Sequence, residues 1–63
     1  SDTFRVVSVD GRGIELATRA GVPAGRCPGF ATPGQLVEVK HQGFTASGKL
    51  NCPVLIEVRT DLE

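Results

Sequence analysis

Two short apolar runs, 4–9 and 13–18, stand on either side of Asp10-Gly11-Arg12-Gly13. An Asp-Gly pair between β-favouring segments is a strong hairpin signal, so the pattern predicts strands over both runs. In the second run Ile14 and Leu16 alternate with Glu15, which buries one face and wets the other. Further on, Val37, Val39 and His41 alternate with Glu38, Lys40 and Gln42, the mark of a half-buried strand. A last strand is predicted over 54–60, with Val54, Ile56 and Val58 on one face and Leu55, Glu57 and Arg59 on the other.

Between these halves lies a stretch of different character. Residues 19–34 hold four Gly and three Pro, a density that excludes a continuous helix and a central strand. It reads as a long loop, anchored on the core by Val22 and Phe30. Residues 43–53, with two Gly and a Pro, read as a turn or long hairpin connection.

Four to five short strands with no amphipathic helix point to an all-β domain that hides its edges by closure. A small OB-type barrel of antiparallel strands with a long Gly/Pro-rich loop is the first expectation, and an SH3-like barrel the second. At 63 residues the chain makes one domain, 1–63, with a thin core, because a domain of this size buries only about 60% of the surface its unfolded chain exposes.

Charge sharpens the functional reading by subtraction. Seven basic and seven acidic side chains cancel, so any nucleic-acid contact must come from a local patch rather than the whole-domain field. No apolar run approaches the roughly 20 residues of a spanning helix, and the start lacks a basic-then-apolar signal, so no membrane role and a cytoplasmic location are expected. Cys27 and Cys52 lack C-x-x-C pairs or His partners, so no metal site is expected, and both are read as reduced, partly buried thiols.

Catalytic chemistry is equally thin. His41 is the single histidine, nothing near it marks a nucleophile, and it reads as a strand residue at the edge of the core. No catalytic residue is assigned, and the chain is not an enzyme by itself. Lys40, Lys49 and Arg59 flank the last two strands, where a barrel gathers them on one surface to meet a phosphate backbone. Only Phe4, Phe30 and Phe44 are aromatic, and at least one or two belong in the core, which argues against a stacking reader of single strands.

Residues 33–61 carry one further pattern: Gly34, the alternating Val37 and Val39, a turn with Gly48 and Leu50, Pro53, and a closing Val58-Arg59 with Asp61. This order resembles the C-terminal OB domain of ATP-dependent polynucleotide (DNA) ligases, over about half the chain. The resemblance implies a fragment of a larger ligase-like protein that clamps duplex or nicked DNA and assists nucleotidyl transfer by a separate adenylation domain of the same parent chain. It implies ATP and Mg2+ as cofactors of that intact parent and none for the isolated domain, which is expected to be monomeric. Arg59 becomes the phosphate contact and Asp61 its motif companion. Two departures weaken the ATP role: Leu62 replaces the motif lysine, and Asn51 stands where a basic residue often follows the turn leucine. The competing expectation is a protein-interaction or structural barrel, which the neutral charge balance favours.

Overall fold

A computed structural model of the chain describes residues 2–59. Five strands form one antiparallel sheet: β1 (Asp2–Asp10), β2 (Gly13–Ala17), β3 (Pro23–Cys27), β4 (Leu36–Lys40) and β5 (Val54–Val58). No helix occurs among the described residues. The strand order is β3-β2-β1-β4-β5. β1 is the longest strand and serves two partners, pairing through Asp2–Arg5 with β4 and through Arg5–Asp10 with β2.

The two ends of this order approach one another. The hairpin between β4 and β5 crosses to β3, where the Leu50 amide donates to the Ala24 carbonyl at 2.8 Å. Just past the other end of β3, Gly29 lies against β5: a Cβ on Gly29 would meet the Leu55 Cδ2 at 2.9 Å. The sheet is thus curled into a small OB-type barrel whose β3–β5 seam is bridged by local contacts rather than a strand ladder.

Register irregularities supply the curl. The β1–β2 pairing skips Val7, the β2–β3 pairing skips Ala24, and the β4–β5 pairing skips Ile56. A bulge adds a residue to one strand and increases local twist, which is how short strands bend into a barrel. It also resets the side-chain phase. Val7 and Ile56 are exposed, while Val9, Leu55 and Val58 pack against the core.

The core is built from Phe4, Val6, Ile14, Leu16, Ala24, Cys27, Ala31, Val37, Val39 and Leu50. Its members come from all of β1 to β4 and from both long connections, so no pair of strands closes it alone. The β1–β2 turn is pinned from outside the hairpin. Gly13 has φ +136°, and a Cβ there would sit 2.5 Å from the Cys27 carbonyl oxygen. Backbone meets backbone at that point, and only glycine fits.

Four sequence expectations are corrected. The 19–34 segment is not wholly loop, since Pro23–Cys27 forms β3. Proline is tolerated there because β3 is an edge strand, and the bulge at Ala24 absorbs its irregular start. Val22 and Phe30 do not anchor the loop: Phe30 is 74% exposed, and the small side chains of Ala24, Cys27 and Ala31 fill the core instead. Finally, Val54, Ile56 and Val58 do not share a face, because the bulge at Ile56 turns Leu55 and Val58 inward together. Cys27 is buried and Cys52 is exposed, both free, so the expectation of two partly buried thiols fails for Cys52.

Candidate nucleic-acid interface

Alternation along β4 and β5 sets which charges meet on the outer face. Glu38 pairs across the ladder with Glu57, and Arg59 follows two residues later on the same side. Its backbone amide donates to the Leu36 carbonyl at 2.7 Å, so β5 stays on β4 up to this point. Arg59 Nη1 lies 3.3 Å from Glu38 Oε1, and its Nε lies 3.7 Å from Glu57 Oε1. The same Glu38 oxygen accepts the Thr3 hydroxyl at 3.0 Å. The Arg59 side chain is 28% exposed and that of Glu38 only 17%. The guanidinium is therefore neither free in solvent nor sealed away.

Lys40 closes β4 opposite Val54 and is exposed. Four residues along β4 separate it from the Leu36 carbonyl that holds Arg59, about 13 Å at about 3.3 Å per residue. Lys49 lies in the β4–β5 hairpin, exposed, with its side-chain stem against β3: a Cβ on Gly25 would meet the Lys49 Cβ at 3.2 Å. The hairpin is held by the Phe44–Leu50 bridge and by Thr45, whose carbonyl accepts the Gly48 amide at 2.9 Å. Lys40 and Lys49 thus belong to the hairpin end of the barrel and Arg59 to the opposite end of the β4–β5 ladder. Asp61 and Leu62 lie outside the described residues.

Phe44 joins the hairpin end. It is 53% exposed and packs a tilted ring at 5.3 Å from His41, whose other side meets Phe4 edge-on at 5.9 Å. His41 Nδ1 accepts the Gly43 amide at 3.0 Å, and Nε2 lies 2.7 Å from Asp2 Oδ2. Both ring nitrogens are engaged, so the histidine braces the start of β1 against the hairpin; it is half-buried at the core's edge as expected, but lies one residue beyond β4 rather than in a strand. Only Phe4 among the three phenylalanines is in the core. Sequence reasoning had no signal for the exposure of Phe44.

A second charged group sits on the β1–β2–β3 side. Arg26 Nη2 bonds Asp10 Oδ2 and Arg26 Nη1 lies 3.8 Å from Glu15 Oε1, beside an open groove lined by Asp10, Gly11, Arg12, Arg26, Cys27 and Pro28. The Arg12 amide donates to Asp10 Oδ1 at 2.8 Å. That bond first, and the Arg26 guanidinium second, hold the Asp10 carboxyl below its usual pKa. Burial pushes the Cys27 thiol the other way, above its ordinary value, against a smaller pull from the Leu55 amide.

Among the described residues, Arg5, Arg12, Arg19, Lys40 and Lys49 form no ion pair, so the uncompensated positive charge is spread over β1, the turns and the hairpin end. No three His, Cys, Asp or Glu side chains among the described residues converge as a metal site. In comparisons with known proteins, the chain matches no protein-family model, no curated protein and no solved structure.

Proposed function

We propose that the chain is the nucleic-acid-binding OB module of an ATP-dependent DNA ligase, closing over duplex DNA and assisting nucleotidyl transfer by a separate catalytic domain. The observation that carries this reading is the position of Arg59. It stands at the end of β5 on the outer face of an OB-type barrel, at the closing arginine of the ligase-like stretch 33–61. Lys40 and Lys49 extend the positive charge from the other end of the same ladder. The separation of about 13 Å between the two ends corresponds to about four base pairs at 3.4 Å each, so one duplex can touch both. Phe44 adds an exposed apolar surface beside the lysines.

ATP and Mg2+ enter only through the parent ligase. Arg59 offers one cation to a phosphate, and no step through Mg2+ is assigned to this domain. DNA gripping, not nucleotide chemistry, is the role these residues support.

A second reading is favoured by one observation. Phe30, Val54 and Ile56 are all exposed, and Gly29, next to Phe30, lies against Leu55 of β5. An exposed apolar edge strand of this kind suits a protein partner.

Titration of the domain with nicked duplex DNA, at low and then moderate salt, separates the two through the backbone amide spectrum. Salt-sensitive shifts at Lys40, Lys49, Phe44 and Arg59 are expected, because counterion release makes phosphate contacts weaken as salt rises. No shifts at low salt would overturn the DNA reading and leave the apolar edge as the functional surface.

A further inference from the structure

We propose that Glu38 and Glu57 mask Arg59, that a nucleic-acid phosphate takes the arginine by displacing them, and that Thr3 holds the Glu38 carboxylate when Arg59 leaves. The proposal rests on the DNA-binding reading above. Its geometry is specific. Glu38 Oε1 faces the Nη1 end of the guanidinium and Glu57 Oε1 faces its Nε, so two carboxylates occupy the positions that phosphate oxygens need. A phosphate reaching Arg59 exchanges one charge-assisted contact for another rather than meeting a free cation.

The exchange is made easier by Thr3. Removing one partner from a half-buried carboxylate is ordinarily unfavourable, because its desolvation is no longer offset. Here the Thr3 hydroxyl already donates to the same Glu38 oxygen at 3.0 Å. Glu38 therefore keeps a hydrogen bond on β1 after Arg59 turns outward. Glu57 is exposed and returns to water. The carboxylates also repel incoming phosphate until the arginine is engaged, which makes the contact selective for a ligand held close by other cations.

The test is a double-mutant cycle on the whole chain, reading the dissociation constant for fluorescently labelled nicked duplex DNA at low salt. Glu38→Gln keeps the shape and still accepts from Thr3, and it is expected to tighten binding by about three- to fivefold, the range of a partly exposed ion pair. Glu57→Gln gives a similar or smaller gain at an exposed position where folding is not at stake. Neither gain is expected in an Arg59→Ala background. An equal gain with and without Arg59 would show a bulk charge effect and overturn the mask. No gain in either glutamine variant, with wild-type DNA binding intact, overturns the mask and leaves the DNA reading standing. Absence of binding by every variant sinks both.

Discussion

Two arginines on the outer face of the sheet are held by matching sets of groups. On the β1–β2–β3 side, Ser8 donates to Glu15 Oε1 at 3.2 Å, Glu15 faces Arg26, and Asp10 completes the set. On the β4–β5 side, Thr3 donates to Glu38 Oε1, Glu38 faces Arg59, and Glu57 completes it. The chemistry repeats, but the surroundings differ. Arg26 is 44% exposed and both its carboxylates are comparably wet, whereas Arg59 and Glu38 are mostly covered. Water screens the first group and only partly reaches the second, so similar contacts carry different weight. The lesson is that a contact inventory does not rank two ion pairs until solvent access is added.

The largest expected effect breaks the Arg26 side alone. Gly13→Ala drives a Cβ against the Cys27 carbonyl in a backbone conformation unsuited to alanine, and should cost about 2 kcal/mol or more in urea unfolding. A neutral result would mean that the turn is not pinned against β3. Next, Arg59→Ala should cost about 1 kcal/mol, against about 0.5 kcal/mol or less for Arg26→Ala, since only the first leaves a half-buried carboxylate short of a partner. Equal losses in the same urea experiment would erase the distinction drawn between the two sites.

Acid separates the sites more finely. The folded pKa of Asp10 lies below its ordinary 3.8, so the carboxylate stabilises the fold above that value. That contribution is lost as pH falls through the lower, folded value. Urea midpoints of wild type and Asp10→Asn should therefore differ at neutral pH and converge as the wild-type carboxyl protonates. A gap that persists to the lowest pH would assign the effect to shape rather than charge. Smallest of all is the contrast between the thiols. Native alkylation should label Cys52 and spare buried Cys27, with both labelled in urea by mass spectrometry; a doubly labelled native protein would show that the β3–β5 seam opens readily.

Four of the five strands were legible because their patterning has period two and their turn carries Asp-Gly. β3 was not, since Pro23 and Gly25 look like loop residues until the strand is known to lie at an edge. The inward set on β5 was misread because a bulge leaves no mark in the alternation. At the candidate interface, the outward phase of Lys40 was readable. The Thr3–Glu38–Arg59 chain of contacts was not, because it depends on the β1–β4 and β4–β5 registers, which join positions far apart in the chain.

The bulges at Val7 and Ile56 give the chain two removable letters. Without Ile56, Leu55 and Val58 would be separated by Glu57 alone, and plain alternation would still turn both inward; without Val7, Ser8 would similarly separate Val6 from Val9. A one-residue deletion, normally the harshest edit a strand can receive, would preserve inside and outside at either place. What it would remove is bend, and a straighter sheet carries its two ends apart, away from the Leu50–Ala24 and Leu55–Gly29 contacts. In this small barrel, which residues face inward and whether the wall closes are written in separate parts of the sequence.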